Sequence, residues 1–577
     1  METVNVMING RSYEVPKNAT VLEAARYAGV EIPTLCYLKD INEIGACRLC
    51  LVEVKGARGL VTACVYPVNE GMEITTNSPK IMAARRQNLE LLLSGHDKNC
   101  LSCVRSTNCE LQKLCLDYGV DSSAIGGRRT QYTIDNSGYS IVRDNNKCIL
   151  CRRCVAACNA QGIGAISAIN RGFDTEIGCE FGVKLADTTC INCGQCIEAC
   201  PVGALYEQDD TAKVFAALAD PTKHVVISIA PSVRTAIGEA FGNPIGTDTE
   251  GKMVAAAKRL GFDAVYDLNF AADLTIMEEA TELVERLNNG GRLPMITSCS
   301  PGWIKFCEHY FPEMTENLSS CKSPQQMFGA LYKTHFAKKM GVKPEDIFMV
   351  SCIPCTAKKF EVQRDDQNAA GVPDVDVAIT TRELARMISI SGIDFNNLPD
   401  EKFDDPIGKG SGAGIIFGAT GGVMEAALRT AAEVVAGVEF EKLDVAPIRG
   451  TDGIKFGEYK IGDTTVRVAV ASGTKNANEL LRRVQSGELD LHFIEIMACP
   501  GGCVNGGGQP VVPASVRNTV DVRALRAFVL YNADAASVVR TSHENSAVKL
   551  VYDEFLGKPG SHVAHEILHT TYVKRGR

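Results

Sequence analysis

Cysteine is the residue whose number and placement first indicate chemistry in this sequence. The 577-residue chain has 24 cysteines, and seventeen of them lie between Cys36 and Cys200. Small disulfide-bonded scaffolds carry cysteine at more than about 8–10% of their residues. The cysteines here are more dilute and fall in groups, so we interpret them as metal ligands rather than as a disulfide framework.

The strongest pattern is a duplicated run of four cysteines. Cys148-x2-Cys151-x2-Cys154-x3-Cys158 is followed by Cys190-x2-Cys193-x2-Cys196-x3-Cys200-Pro201, although Asn159 stands where the first run would carry its proline. This is the bacterial ferredoxin run, in which the fourth cysteine ligates the other cluster. Two zinc knuckles are a poor alternative, because zinc closes at four ligands. We therefore predict two [4Fe–4S] clusters, one on Cys148, Cys151, Cys154 and Cys200 and one on Cys158, Cys190, Cys193 and Cys196.

Two further groups precede this duplication. The spacing of Cys36, Cys47, Cys50 and Cys64 follows the plant-type plan of three loop cysteines and a distant fourth, with a longer first gap. It predicts a [2Fe–2S] cluster, with structural zinc as the alternative. His96, Cys100, Cys103 and Cys109 form either a Cys₃His zinc site or a [4Fe–4S] cluster. Because this group lies between two cluster modules, we favour the iron–sulfur cluster and predict a chain of four electron carriers.

Further cysteines that are candidate metal ligands occur in three distant segments of the C-terminal part. These are TSCSPGW (297–303), SCIPCTAKKFE (351–361) and EIMACPGGCVNGGGQP (495–510). The glycines around Cys499 and Cys503 allow the backbone to close tightly around a bulky group. By composition alone, these segments predict one more thiolate-bound cluster, assembled from separate loops.

These three segments resemble the signature motifs of [FeFe]-hydrogenases, and the resemblance spans the whole chain. It implies an H-cluster, which is a [4Fe–4S] cubane joined through a cysteine to a two-iron unit bearing CO, cyanide and a bridging dithiolate amine. It also implies reversible formation of H₂ from protons and electrons. By position, Cys355, Cys499 and Cys503 would hold the cubane, with Cys503 bridging to the two-iron unit. The resemblance further assigns Lys358 and Ser232 to the cyanide ligands, Met497 to shielding, and Ala230, Pro231, Pro324, Gln325 and Phe417 to the pocket wall.

One position departs from the family motif. The usual segment has adjacent cysteines, the first relaying protons and the second ligating iron, whereas this chain has Cys299 and Ser300. Either Ser300 is an oxygen ligand and Cys299 relays protons, or Cys299 ligates the cubane through a local shift of register. An engineered Cys-to-Ser change is a third explanation. We favour Cys299 as ligand, because a thiolate suits iron better than a serine oxygen of high pKa.

A buried metal centre also needs a route for protons. Glu279, Glu282 and Arg286 are spaced by three and four residues, which places them on one stripe of a helix. Taken alone, this stripe is typical of a solvated salt-bridge face. The resemblance instead implies a relay from the active-site cysteine through Glu279, Ser319 and Glu282 to Arg286.

One other motif has a competing interpretation. His565-Glu566-Ile567-Leu568-His569 matches the zinc-protease pattern H-E-x-x-H. It lies near the C-terminal end of the sequence with no third ligand evident downstream, and similar endings occur in the hydrogenase family. We therefore set the protease interpretation aside.

The elements that must position these residues are predicted from local patterns. Alternating residues 3–15 around Asn9-Gly10 indicate a hairpin, and Thr20 with Glu23 form a capping box for a helix ending near Gly29. Buried strands are predicted at 225–230, 264–268 and 348–354, with helices at 275–287 and 421–437. We predict a multi-domain α+β and α/β protein. Its parts are a β-grasp [2Fe–2S] ferredoxin-like domain (1–80), a His-Cys₃ [4Fe–4S] segment (81–125), a 2[4Fe–4S] ferredoxin-like domain (139–209) and a two-lobed α/β H-cluster domain (210–577).

Composition narrows the partners and the setting. The net charge of −9 argues against nucleic acid or an anionic membrane as the main partner. Without a secretory pattern or a long apolar stretch, we expect a reducing cytoplasm. The resemblance to [FeFe]-hydrogenases implies anaerobic hydrogen metabolism. The expected partners are H₂, protons, maturation factors, and either ferredoxin or flavin-containing subunits that oxidise NAD(P)H. TSCSPGW and the order of modules most resemble catalytic subunits of multimeric NAD(P)-linked hydrogenases.

Two other functions use the same modules. The first is a non-catalytic electron-transfer or sensory subunit, since the region before residue 205 also resembles the iron–sulfur subunit of respiratory NADH dehydrogenase. The second is a cytosolic iron–sulfur assembly factor of the hydrogenase-like family. Catalysis is favoured over both of these alternatives because the chain has Cys355, Lys358, Cys499, Cys503 and the Glu279–Arg286 relay.

Overall fold

The protein is described from a computed structural model, in which residues 2–121, 129–436, 445–451, 453–461 and 464–576 are placed. Within these residues, no helix combines the length and apolarity needed to span a membrane. The chain divides into small N-terminal modules, which contain the cysteine groups between Cys36 and Cys200, and a larger two-lobed part.

The N-terminal module is a five-stranded sheet with one helix, Val21–Tyr27, packed on it. Its strands lie in the order Arg11–Pro16, Thr3–Ile8, Met72–Thr75, Leu51–Val54 and Val61–Thr62. The predicted hairpin is confirmed, because Asn9 and Gly10 both have positive φ (48° and 78°), as a type I′ turn requires. The capping box of Thr20 and Glu23 is also present. A longer helix, Pro79–Gly95, follows this sheet.

The duplicated cysteine runs fold alike. Each run leads into a short helix, Arg153–Ala160 or Gln195–Ala199. In the first run Leu150 and Arg152 have positive φ, and the equivalent Asn192 and Gly194 do so in the second. Two strand pairs complete this module, namely Ile141–Arg143 with Leu205–Glu207 and Ser167–Ile169 with Glu176–Gly178. The shared backbone geometry turns each loop so that its thiols converge.

The large part contains two lobes, each built on a four-stranded sheet. The parallel sheet of the first lobe has the order Ala264–Asp267, His224–Ile229, Ile347–Cys352, Val377–Ile379. The second sheet has the order Met295–Ile296, Phe493–Met497, Thr464–Ser472, Ile454–Ile461, of which the last strand is antiparallel. The strands predicted at 225–230, 264–268 and 348–354 are therefore confirmed within a residue or two.

Helices cover both sheets and bury their apolar faces. The longest, Asn269–Asn288, contains the predicted segment 275–287, and Gly422–Ala436 matches the prediction for 421–437 apart from Gly437, which lies outside the described residues. The other main helices of this part are Thr211–Leu218, Glu250–Arg259, Pro301–Tyr310, Pro324–Leu331, Thr381–Ile390, Thr474–Gln485, Val522–Ala536, Ser546–Val551 and His562–Leu568. The two sheets direct the carboxyl ends of parallel strands towards a shared crevice, which is where ligands bind in open α/β sheets.

Candidate active site and electron path

A cavity lies in this crevice between the lobes. Its wall is made by the loops that follow the strands His224–Ile229, Met295–Ile296, Ile347–Cys352 and Phe493–Met497. All the residues that the resemblance assigned to the H-cluster pocket line it: Ala230, Pro231, Ser232, Cys299, Ser300, Pro324, Gln325, Cys355, Lys358, Phe417, Met497, Cys499 and Cys503. The structure thus brings together residues that are more than 270 positions apart in the sequence.

The donors around this cavity fit a bulky thiolate-bound cluster. Cys299, Cys355, Cys499 and Cys503 are free thiols, and the last three are mutual electrostatic neighbours. Within the described residues, the buried Ser232 Oγ and Gln325 Oε1 have no hydrogen-bond partner in the protein. A buried polar atom on a cavity wall without a partner indicates that a bound group satisfies it.

Glycines let the backbone close around the same space. A Cβ at Gly506 would lie 2.2 Å from the Pro354 carbonyl oxygen, and one at Gly418 would lie 2.2 Å from Ser232 Oγ. Gly502 has a φ of 94°, in the left-handed region that favours glycine. The glycine-rich segments therefore pack closely around this cavity, as the predicted cluster site requires.

Lys358 is held at the cavity by a carboxylate that the sequence reasoning did not single out. Its Nζ donates to Glu361 Oε2 at 2.8 Å and to the Cys299 carbonyl oxygen at 3.2 Å. Glu361 Oε2 also accepts from Ser323 Oγ and from Gln325 Nε2 at 2.9 and 3.0 Å. The spacing of three residues between Lys358 and Glu361 on a helix was the available signal.

Cys299 and Ser300 point to different neighbours. Burial raises the pKa of the Cys299 thiol well above its usual value, and the Glu279 and Cys503 side chains add to this rise. Ser300 Oγ instead accepts a hydrogen bond from the backbone N–H of Ala498 at 3.3 Å, immediately before Cys499. The Cys299 thiol therefore neighbours both Glu279 and Cys503, whereas the Ser300 hydroxyl is hydrogen-bonded to the backbone next to Cys499.

A row of polar side chains extends from Cys299 to the edge of the protein. Glu279 is fully buried, and burial followed by the neighbouring Glu282 raises its pKa to about 8. Among the described residues, neither oxygen of Glu279 has a hydrogen-bond partner of ordinary geometry. Ser319 Oγ donates to Glu282 Oε2 at 2.8 Å, and Arg286 pairs with Glu282 Oε1 at 2.5 Å. Glu282 and Arg286 side chains are both 15% exposed, so this row reaches solvent.

The duplicated cysteines meet in the crossed arrangement expected of a two-cluster ferredoxin. One cavity is lined by Cys148, Cys151, Cys154 and Cys200, and another by Cys158, Cys190, Cys193 and Cys196. Burial raises the pKa of Cys190 to about 11 and of Cys148 to about 12, so free thiols here are neutral until a metal binds. The structure thus places each fourth cysteine with the three cysteines of the other run.

The second of these cavities adjoins the cavity between the lobes. Cys193 lines both of them. Two side-chain hydrogen bonds join the modules at this point, from Thr356 Oγ1 to the Asn192 carbonyl at 2.7 Å and from Gln195 Nε2 to the Asn505 carbonyl at 2.8 Å. The second cluster site predicted from the sequence and the central cavity therefore share Cys193 in their walls.

Cysteines within each of the two N-terminal groups also neighbour one another. Cys36, Cys47, Cys50 and Cys64 are buried in one module, and a hydrogen bond with Cys36 lowers the pKa of Cys47 to about 6. In the next group, Cys103 Sγ is an electrostatic neighbour of Cys109, and His96 Nδ1 is buried without a partner among the described residues. Burial lowers the pKa of His96, which keeps the imidazole neutral and able to bind metal.

Spacing argues against zinc at these groups. Within the described residues, the only trio of His, Cys, Asp or Glu ligand atoms that all lie within 4.8 Å of one another is Glu282, Cys321 and His569. The predicted cluster cysteines are therefore spread more widely than the ligands of one tetrahedral ion. Larger polynuclear clusters fit this spread.

Models of known protein families match most of this chain. A model of the iron-only hydrogenase large subunit, C-terminal domain, matches residues 223–507, and an iron hydrogenase small subunit model matches 520–575. The remaining matches are a 2Fe-2S iron-sulfur cluster binding domain (1–79), an iron-sulfur binding region of NADH-ubiquinone oxidoreductase-G (85–124) and a 4Fe-4S dicluster domain (147–204).

The NADP-reducing hydrogenase subunit HndD of Solidesulfovibrio fructosivorans is 48% identical over the full length of both chains. The chain belongs to the [FeFe]-hydrogenase family. Iron hydrogenase 1 of Clostridium pasteurianum is 45% identical, covering 99% of this chain and 100% of its own.

Structural comparison points to the same family. A variant of the [FeFe]-hydrogenase HydA1 from Chlamydomonas reinhardtii superposes with a TM-score of 0.57 at 41% identity, over 64% of this chain and all of the other. The resemblance noted from the three cysteine segments is thereby confirmed, and this [FeFe]-hydrogenase is an iron–sulfur oxidoreductase with [2Fe–2S] and [4Fe–4S] binding regions before its H-cluster domain.

Proposed function

We propose that this [FeFe]-hydrogenase catalyses the reversible reduction of protons to H₂ in the cavity between its lobes. The observation that carries the proposal is the coincidence at one cavity of clustered thiols, partnerless polar atoms and a polar row leading to solvent. When bound, the H-cluster supplies the redox-active iron at which protons and electrons combine. The side chains around the cavity hold that group, exclude water and deliver protons.

Cys355, Cys499 and Cys503 are proposed to bind the cubane, with Cys503 shared with the two-iron unit. Lys358 and Ser232 are proposed to donate hydrogen bonds to cyanide ligands, because Ser232 Oγ on the cavity wall has no partner among the described residues and Glu361 holds Lys358 Nζ at the cavity. Six further residues on the cavity wall are proposed to shield the group from water: Met497, Ala230, Pro231, Pro324, Gln325 and Phe417. The apolar character of most of these residues supports that role.

We assign Cys299 to proton delivery and Ser300 to the fourth position at the cubane. The electrostatic contact of Cys299 with Glu279 and the position of Ser300 beside Ala498 support this choice. It reverses the preference drawn from ligand chemistry alone, in which a thiolate was favoured over an alkoxide. A serine oxygen at this position gives the cubane three thiolates and one oxygen neighbour.

Protons are proposed to pass between Cys299 and solvent through Glu279, Ser319, Glu282 and Arg286. Glu279 suits the buried end, because a carboxyl with a pKa near 8 holds a proton at neutral pH and releases it easily. Ser319 bridges to Glu282 by its 2.8 Å hydrogen bond, and its hydroxyl both donates and accepts. Arg286 holds the outer carboxylate in place at the partly exposed end.

Electrons are proposed to reach the cavity through one [2Fe–2S] and three [4Fe–4S] clusters. The cluster at Cys158, Cys190, Cys193 and Cys196 is the last carrier, since Cys193 lies on the wall of the central cavity. The donor is proposed to be an NAD(P)H-oxidising partner subunit, as the name of the relative HndD suggests, with ferredoxin as the alternative. A reducing, anaerobic cytoplasm and dedicated maturation factors fit these clusters.

Anaerobic co-expression with hydrogenase maturation factors, followed by infrared spectroscopy, tests this proposal. Bands from metal-bound CO and cyanide are expected in iron-replete protein. Their absence from fully matured protein with intact relay clusters would support the electron-transfer or sensory function instead.

A further inference from the structure

Three side chains with metal-ligating atoms lie together beside the outer end of the proposed proton path. Glu282, Cys321 and His569 each offer one ligand atom, and these atoms all lie within 4.8 Å of one another. Cys321 Sγ is 3.8 Å from Glu282 Oε2. The ligand atoms of a tetrahedral zinc ion lie roughly 3–4 Å apart, so small side-chain rotations close this trio around one ion.

Backbone pairing brings the cysteine and the histidine together. Cys321 and His569 are opposite residues of an antiparallel bridge. Hydrogen bonds of 2.8 Å flank it, from Lys322 N to the Leu568 carbonyl and from Thr570 N to the Ser320 carbonyl. Side chains opposite each other in antiparallel pairs emerge on the same face, so this contact is built into the fold.

The histidine has the environment of a metal ligand. His569 Nε2 lies 3.2 Å from Glu278 Oε2, and Glu278 is itself fixed by the hydroxyl of Tyr552 and the backbone N–H of Gly560. Metal-ligating histidines usually donate their other ring N–H to such a carboxylate. The remaining nitrogen, Nδ1, lies 2.8 Å from Ser320 Oγ, which an incoming ion would displace.

We propose that Glu282, Cys321 and His569 form a binding site for a divalent, zinc-like cation, and that an ion bound there stops proton transfer through Glu282. The carboxylate oxygen that faces Cys321 is Oε2, the one that accepts from Ser319. Glu282 Oε1 stays paired with Arg286. Binding replaces the thiol proton of Cys321 by the metal and releases that proton to solvent.

Access and chemistry favour a soft divalent ion. The side chains of Glu282 and His569 are 15% and 7% exposed, so an ion can enter from solvent. One thiolate, one imidazole and one carboxylate select zinc over magnesium or calcium, which prefer oxygen ligands. The effect on turnover rests on the proposed hydrogenase function, whereas binding of the ion does not.

The test measures zinc binding and zinc inhibition on the anaerobically matured holoenzyme. Equilibrium dialysis against Zn²⁺ is expected to leave about one more zinc per chain on the wild type than on His569→Gln. H₂ production is expected to be inhibited by Zn²⁺ and restored by a chelator. His569→Gln should need about tenfold or more zinc for the same inhibition, as expected when a ligand or its carboxylate partner is lost.

His562→Gln is the matched control, because His562 begins the helix that ends just before His569 and its side chain is 86% exposed. It should bind zinc and be inhibited as the wild type is, and iron content should stay constant throughout. Equal zinc retention by the wild type and His569→Gln would overturn the site. If the wild type retains the extra zinc but its H₂ production is not inhibited, the gating role is overturned. If the protein produces no H₂ at all, only the proposed hydrogenase function is contradicted.

Discussion

Replacing Glu282 with glutamine tests the proton path at its most connected residue. Glu282 Oε2 accepts from Ser319 Oγ at 2.8 Å, and Oε1 pairs with Arg286 at 2.5 Å. Glutamine keeps the volume and an acceptor oxygen for Ser319, but its amide cannot take up and release a proton as a carboxyl does. The substitution therefore removes proton carrying while preserving most of the local packing.

The expected loss of activity is large enough to measure easily. Proton transfer by a positioned side chain contributes about 10²–10⁴-fold to a rate, so H₂ production should fall by about 100-fold or more. That loss corresponds to about 2.7 kcal/mol of activation free energy. Loss of the charged partner of Arg286 should lower the free energy of unfolding by only about 1–3 kcal/mol.

The assay is H₂ production from reduced viologen, with iron content and the reduced-cluster spectra measured on the same samples. Glu285→Gln is the matched control, since Glu285 is an exposed residue on the same helix. It should retain wild-type activity. A Glu282→Gln protein with full iron content and an unchanged rate would refute the assignment of Glu282 to the proton path.

Three further outcomes follow from the same geometry. Burial raises the pKa of Glu279 to about 8, so the infrared band of its neutral carboxyl should persist at pH 7 and fade as the pH rises through about 8. The band should be absent from Glu279→Gln. Loss of the band from the wild type by about pH 5 would contradict this prediction. Cys299→Ala should abolish most turnover yet leave the cubane iron and its spectrum in place. Ser300→Ala should alter the cubane spectrum, and Ser300→Cys should retain the cubane. Loss of cubane iron in Cys299→Ala would show instead that Cys299 is the ligand. Gly506→Ala places a Cβ 2.2 Å from the Pro354 carbonyl, so it should reduce cubane occupancy at unchanged relay-cluster iron, and normal occupancy would count against close packing there.

Much of the architecture could be predicted because its signals are local. The Asn9-Gly10 turn, the Thr20 capping box and the buried strands each depend on neighbouring residues, and the structure has them where the sequence indicated. Cysteine spacing within a loop is equally local, which is why the crossed cluster sites could be assigned from the sequence.

The remaining features depend on contacts between distant segments. The side-by-side placement of Cys321 and His569 arises from backbone pairing across 248 positions, which no local pattern reveals. The different surroundings of Cys299 and Ser300 also depend on tertiary packing, because adjacent residues face Glu279 and Ala498 respectively. Ligand chemistry alone favoured Cys299 at the cubane, and the packing supports the other assignment.

Hydrogen production by the anaerobically matured wild-type protein tests the central claim most directly. Protein that contains iron at all its cluster sites should evolve H₂ from protons when supplied with reduced viologen, and should oxidise H₂ in the reverse assay. Neither activity in protein whose relay clusters are intact and reducible would contradict the claim that this chain is a working hydrogenase.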